Sequence, residues 1–154
     1  MALSQNFQNR FVELADELDE KSKSKRAKII GISNTTYSNA YNYGIIPKTS
    51  SLMRIADYFN ISIEYLIANT DDEHFEKSLH PTHFKNRLAE LQKENGISTV
   101  YELSQILHIH RNNIAQWNKL DCIPLIDDII IIADHFKVSI DYLLGRTDDR
   151  TAYN

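Results

Sequence analysis

The sequence predicts an all-α protein made of two tandem five-helix domains. The first observation is an internal repeat: IADYFNISIEYLIANTDD, residues 55–72, returns as IADHFKVSIDYLLGRTDD, residues 132–149, with eleven of eighteen positions identical. The second is that a single shift of 77 residues aligns the two halves without a gap over residues 7–72. The third is that apolar residues in both halves recur at helical spacing. One folded unit is therefore expected twice in the chain.

The repeat also fixes the expected domain boundaries. Residues 1–72 form the first predicted domain and residues 83–154 the second. Residues 73–82 between them are polar and contain Pro81, which is typical of a linker. A chain of 154 residues is long enough for two small domains, each with its own core.

Apolar spacing and terminal signals predict the helices of each domain. Phe84, Leu88 and Leu91 lie on one helical face, and Asn95 with the glycine after it ends that helix. The apolar run at 129–132 is assigned to a helix, because the aligned LMRI of the first domain fits a helical frame. The five helices expected in the second domain end near residues 95, 107, 119, 136 and 145, and the first domain repeats them.

Caps and turns support the same helices. Ser62 and Ser139 precede the fifth helix of each domain, where a serine side chain can accept a bond from a free backbone N–H group. Between the second and third helices the first domain has Gly31, which suits a turn with positive φ. The second domain has His108 there, and histidine tolerates the left-handed conformation better than most residues.

Composition limits the classes of function. Apolar residues make up 42% and charged residues 25%, as in ordinary soluble domains, and no apolar run approaches the length of a membrane span. The N-terminal residues lack the pattern of a signal peptide, and Cys122 stands alone, so we expect a cytoplasmic protein without disulfides. The net charge of −4 does not by itself favour nucleic acid as a partner.

The two repeated phrases, together with FKNRLAELQKENGIS near the start of the second domain, resemble the lambda-repressor-like helix-turn-helix family, also called Xre or Cro type. The resemblance covers both domains and implies a compact helical fold whose third helix enters the DNA major groove. The family commonly pairs an arginine at the end of the first helix with an acid after the third. Here those positions hold Ala15 with Tyr41, and Gln92 with Asn118.

The third helix of each domain supplies the candidate base-reading residues. Outward positions on this helix are the first, second and sixth after the turn. Asparagine and glutamine can pair with adenine, and arginine with guanine, across the major groove. Neither third helix contains an acid, which would repel phosphate. The candidates are Asn34, Thr35 and Asn39 in the first domain and Arg111, Asn112 and Gln116 in the second.

Lysines near these helices are the candidate phosphate ligands. The run KSKSKRAK, residues 21–28, covers the start of the second helix, where the family contacts phosphates. The second domain has valine and tyrosine in the matching places and only one lysine nearby. The predicted phosphate-contacting residues are Lys23, Lys25, Lys28, Lys48 and Lys119.

Comparison of the two domains predicts an interface patch. At three positions where the first domain has lysine, threonine and arginine, the second has Leu125, Ile126 and Ile131. Positions that hold charged side chains in one copy should face solvent, so apolar residues there indicate a covered surface. The expected cover is either the first domain or a second chain in a homodimer, formed through the fourth and fifth helices.

The remaining motifs are not expected to carry chemistry. The histidine pairs at 80 and 83 and at 108 and 110 lack converging carboxylates or thiols, so no metal site is predicted. There is no glycine-rich phosphate loop and no nucleophile motif. We therefore expect neither an enzyme nor a bound cofactor.

Two functional hypotheses follow from the sequence. The first is a sequence-specific regulator, a repressor of bacterial or phage type, that binds double-stranded DNA with two heads on one chain. The second is a protein-interaction module, such as an antirepressor or antitoxin, that keeps the fold and binds a partner protein. The acidic balance and the missing arginine–acid pair favour the second hypothesis, and the acid-free third helices favour the first.

Overall fold

The computed structural model describes residues 3–118 and 122–151, and this part of the chain contains ten helices and no strand. The predicted all-α class is confirmed there. The chain forms two compact units, unit 1 (Met1–Phe75) and unit 2 (Glu76–Asn154). Unit 1 contains α1 (Gln5–Asp16), α2 (Lys23–Ile30), α3 (Asn34–Tyr43), α4 (Thr49–Phe59) and α5 (Ile63–Leu66). Unit 2 contains α6 (Phe84–Glu94), α7 (Val100–Leu107), α8 (Arg111–Gln116), α9 (Ile126–Phe136) and α10 (Ile140–Leu143).

Local sequence signals account for most helix ends. The side chains of Ser62 and Ser139 accept bonds from the backbone N–H groups of Tyr65 and Tyr142, so both predicted caps are confirmed. The apolar run at 129–132 lies inside α9, as predicted. The third helix of unit 2 is shorter than predicted, because α8 ends at Gln116. None of the helices in the described ranges has the length and apolarity that a membrane span requires.

Each unit has its own apolar core. In unit 1, α1 packs against α3 and α5, and Phe7 and Phe11 of α1 are fully buried. The Phe11 ring meets the edge of the Tyr37 ring, with 5.4 Å between their centroids. In unit 2, α6 packs against α10, and the buried face of α9 contributes Ile129 and Ile132. Burying these side chains is the main force that holds such short helices together.

An arginine of α1 joins the two ends of unit 1. The guanidinium of Arg10 lies 3.8 Å from the centre of the Tyr65 ring and donates a 2.8 Å bond to the Tyr65 carbonyl oxygen. It also forms a 2.9 Å ion pair with Asp71, just beyond α5. We call this arrangement of arginine, tyrosine and aspartate the clasp. It connects the first helix of the unit to the segment that follows the last helix.

Unit 2 repeats the clasp with the aligned residues. Arg87 of α6 lies 4.2 Å from the centre of the Tyr142 ring and pairs with Asp148 at 3.2 Å. The tyrosine and the aspartate both belong to the repeated phrase. The arginine belongs to a second repeat, FQNRFVEL at residues 7–14 and FKNRLAEL at residues 84–91. The repeated phrase therefore places the same contact in both units.

The segment before α6 is hydrogen-bonded within unit 2. The Ser78 amide donates to the Arg146 carbonyl at 2.9 Å, and the Thr82 amide donates to the Gly145 carbonyl at 3.2 Å. The Thr147 hydroxyl donates to the carbonyl of Glu76 at 2.6 Å. Residues 76–82, part of the predicted linker, thus lie along the loop that follows α10.

Candidate nucleic-acid interface

A tight turn orients α3 in unit 1. Gly31 ends α2 with a left-handed backbone (φ 95°), and its amide donates to the carbonyl of Ala27. Ser33 then caps α3 by accepting a bond from the Thr36 amide. Arg54 of α4 donates to the Gly31 carbonyl at 3.3 Å, which ties the turn to the fourth helix. The direction of α3 is therefore fixed from both sides of the turn.

The predicted base-reading residues of unit 1 lie together on the outer side of α3. Tyr37 and Ala40 are buried and face the core. Asn34 and Thr35 are exposed in the first turn of the helix, and Asn39 is half-exposed one turn later. Amide and hydroxyl groups in this arrangement can approach base edges from one direction.

A polar network of side chains from α1, α2 and α3 lies beneath α3. Arg26 of α2 is buried, and its guanidinium lies 3.1 Å from Asp16 and 3.2 Å from the Tyr37 hydroxyl. The Tyr41 hydroxyl donates a 2.8 Å bond to the same Asp16 carboxylate. The pKa of Asp16 is lowered, first by the bond from Tyr41 and then by Arg26. The network thus links the three helices. It includes Tyr41 and the residue next to Ala15, the two positions that the sequence singled out in this domain.

We expect Arg26→Met to destabilise unit 1 by about 1–3 kcal/mol, because the Tyr37 hydroxyl and Asp16 lose a charged partner beneath α3. Hydrogen exchange of the α1 and α3 amides measures this loss. The matched control is Lys28→Met, since Lys28 is exposed two residues further along the same helix. Equal protection in the two variants would contradict the assigned role of Arg26.

One lysine of the basic run contacts α3, and the other predicted phosphate ligands of unit 1 are exposed. The Lys23 ammonium lies 4.6 Å from the centre of the Tyr41 ring and 3.4 Å from the Asn42 side-chain oxygen. Lys25, Lys28 and Lys48 are exposed. Asn42 was not among the predicted residues, although its exposure near the end of α3 makes it a further candidate.

No acid interrupts the sequence from residue 21 to residue 56, which we call the acid-free segment. It contains α2, α3 and most of α4. The acids of unit 1 lie instead in α1 and the loop after it, at the end of α4, and in α5 and the residues that follow. Within unit 1, α2 and α3 therefore contribute basic side chains and no acid, and Asp16 of α1 is the acid bonded to α3.

The equivalent surface of unit 2 has a different chemistry. Arg111, Asn112 and Gln116 are all exposed on α8, so the three predicted residues share the outer side of this helix. His108 forms the turn with a left-handed backbone, and His110 caps α8 by accepting a bond from the Asn112 amide at 3.1 Å. A groove of about 470 Å³ runs beside this turn. Its lining includes Tyr101, Gln105, His108, His110 and Arg111.

Unit 2 lacks the lysines that border α3. Val100, Glu102, Gln105 and Leu125 stand where unit 1 has its four exposed lysines. The predicted phosphate ligand Lys119 lies outside the described residues. Positive charge in the described part of this surface thus depends on Arg111.

The predicted interface patch is partly wrong. Leu125 and Ile131 are exposed, at 64% and 41%, as the prediction requires. Ile126 is buried, and so is the aligned Thr49 of unit 1. Both residues lie in the first turn of the fourth helix and face inward, so their difference concerns the core and not the surface. The patch on unit 2 therefore consists of Leu125 and Ile131.

Comparison with known proteins gives no assignment for this surface. Within residues 3–118 and 122–151, no group of three histidine, cysteine or acidic side chains is arranged to hold a metal ion. No family model matches the chain, and no curated protein or solved structure is significantly similar to it.

Proposed function

We propose that the chain is a sequence-specific DNA-binding regulator, with one helix-turn-helix head of the lambda-repressor type in each unit. The observation that carries the proposal is the acid-free segment of unit 1. It combines an exposed amide-rich helix with lysines on its border, in a chain that otherwise has more acids than bases. Lysines that neutralise phosphates provide affinity, and amide side chains on the helix between them select the bases.

The two heads have different parts in this proposal. Unit 1 supplies the charge that anchors the chain on the phosphate backbone. Unit 2 supplies Arg111 and Gln116, whose side chains can make bidentate contacts to guanine and adenine. A chain of this kind acts most simply as a repressor, by occupying a promoter with both heads.

One observation favours a protein partner as a second candidate function. Leu125 and Ile131 are exposed on unit 2, where unit 1 has the charged residues Lys48 and Arg54. Asp128 lies between them in α9, and burial, followed by repulsion from Asp127, raises its pKa. An apolar surface beside acids suits a protein better than a phosphate backbone.

The deciding experiment is selection of duplexes from a random-sequence DNA pool by the full chain at two salt concentrations. Enrichment of a motif with two spaced half-sites is the result expected for a two-headed regulator. A single half-site would leave one unit without a role in base reading. Absence of any enrichment would overturn the proposal and favour the protein-interaction function.

We expect the double variant Arg111→Ala, Gln116→Ala to lose discrimination at one half-site only. Each bidentate contact accounts for about 1–3 kcal/mol of discrimination against the wrong base, so the motif recovered at that half-site should become degenerate. Lys93→Ala is the control for charge, because Lys93 is an exposed residue on α6. Selection and sequencing of bound duplexes measures both. An unchanged two-site motif would show that α8 does not read bases.

A further inference from the structure

A small apolar pocket lies beside the base-reading side of α3. It is lined by Thr36, Asn39, Ile45, Pro47 and Lys48 and has a volume of about 220 Å³. Asn39 and Lys48 are both predicted to contact DNA, so the pocket lies between a candidate base-reading amide and a candidate phosphate ligand. Ile45 and Pro47 give it an apolar wall, which neither a phosphate nor a polar base edge requires.

The backbone around this wall is held in place by hydrogen bonds. Gly44 ends α3 with a left-handed conformation, and the Ile45 amide donates to the carbonyl of Asn39 at 3.1 Å. The Ser4 amide donates to the Gly44 carbonyl at 2.8 Å from the other side. Pro47 is buried and has a fixed φ. The wall therefore exists before any ligand binds.

The charge around the pocket identifies the class of ligand. The pocket belongs to the acid-free segment, and its rim carries the exposed ammonium of Lys48. The ammonium group on the rim favours an apolar group that is carried by an anionic molecule. In the major groove of DNA, the apolar group is the 5-methyl group of thymine.

We propose that this pocket, with Ile45 as its wall, accepts the 5-methyl group of a thymine next to the base that Asn39 reads. The inference rests on the proposed DNA-binding function and specifies which feature of the DNA unit 1 selects. Uracil pairs as thymine does but lacks the methyl group, so it isolates this contact. Burying one group the size of CH₂ corresponds to about a fourfold change in affinity.

The test uses two random duplex pools of equal length, one with thymine and one with uracil throughout, and the full chain. From the thymine pool, we expect a motif with a fixed thymine in the unit 1 half-site. Replacing that single thymine by uracil in the selected duplex should weaken binding about fourfold. In the Ile45→Ala variant the ratio of the two affinities should fall to about one, and Ile45→Val should keep most of it.

The outcomes separate this inference from the proposed function. Retention of neither pool would overturn DNA binding and the pocket's role together. Specific binding with equal affinity for thymine and uracil at every position would overturn the pocket alone. A uracil penalty that persists in Ile45→Ala would also overturn the pocket's role. The control is Leu79→Ala, which should keep the penalty because Leu79 is an exposed residue of unit 2 outside the candidate interface.

Discussion

Replacing Lys23, Lys25 and Lys28 together by glutamine is expected to weaken DNA binding about tenfold or more at moderate salt. Each phosphate contact contributes about 0.9 to the slope of log affinity against log salt concentration. Loss of three contacts should reduce that slope by about 2.7. Binding to one selected duplex, titrated at several salt concentrations, measures both quantities.

The control is the triple variant of Lys77, Lys85 and Lys93, which removes the same charge from exposed positions in unit 2. If DNA binding depended only on net charge, the two triple variants would lose the same affinity and the same slope. We expect the control to keep the slope of the original protein. Equal losses would contradict the assignment of the basic run as the phosphate-binding site.

The substitution Gly145→Ala is expected to destabilise unit 2 by at least about 2 kcal/mol. Gly145 has a φ of +76°, where an L side chain costs about 1–2 kcal/mol, and a β-carbon there would overlap the backbone of Thr82. Relief requires Thr82 to move, which breaks its hydrogen bond to Gly145. The only tryptophan of the chain, Trp117, is buried in unit 2 against Phe84. Its fluorescence therefore reports the unfolding of this unit during denaturation.

Unit 1 offers the reverse substitution as a control. Ala68 is aligned with Gly145 and already has a positive φ of 61°. Changing Ala68 to glycine relieves that conformation and adds freedom to the unfolded chain, so the net effect should stay below about 1 kcal/mol. If Gly145→Ala unfolds at the same denaturant concentration as the original protein, the segment before α6 can move away from the new side chain without loss of stability, which would contradict this prediction.

The fold was largely predictable because its signals are local or repeated. Apolar spacing predicted the helices. Ser62 and Ser139 were predicted as caps because each directly precedes a helix. The end of α8 at Gln116 was missed, because the next three residues, tryptophan, asparagine and lysine, include no glycine or proline that would mark a helix end. The packing of residues 76–82 was also missed. Their polar composition is that of a linker, while their contacts are made through backbone groups that composition does not reveal.

The candidate interface was predictable to the level of helix faces. The outward residues of α3 and α8 follow from helical geometry, and the structure leaves five of them exposed and Asn39 half-exposed. The role of Arg26 was not foreseen, because its partner Asp16 is ten residues away and the surrounding lysines made it look like part of a solvated basic run. Its spacing of four from the buried Ile30 was the available signal. Ile126 was misplaced because threonine at the aligned position was counted as a surface residue.

The clasp has a consequence for how such a chain can arise and change. In each unit an arginine of the first helix forms an ion pair with an aspartate beyond the last helix. A duplicated segment therefore contains both partners of the contact that joins its two ends. The two copies can then diverge in surface chemistry while the closure stays the same. One carries lysines at four positions, and the other carries valine, glutamate, glutamine and leucine at the aligned positions. Duplication of a self-closed part thus allows one ancestor surface to become two distinct ones within a single chain.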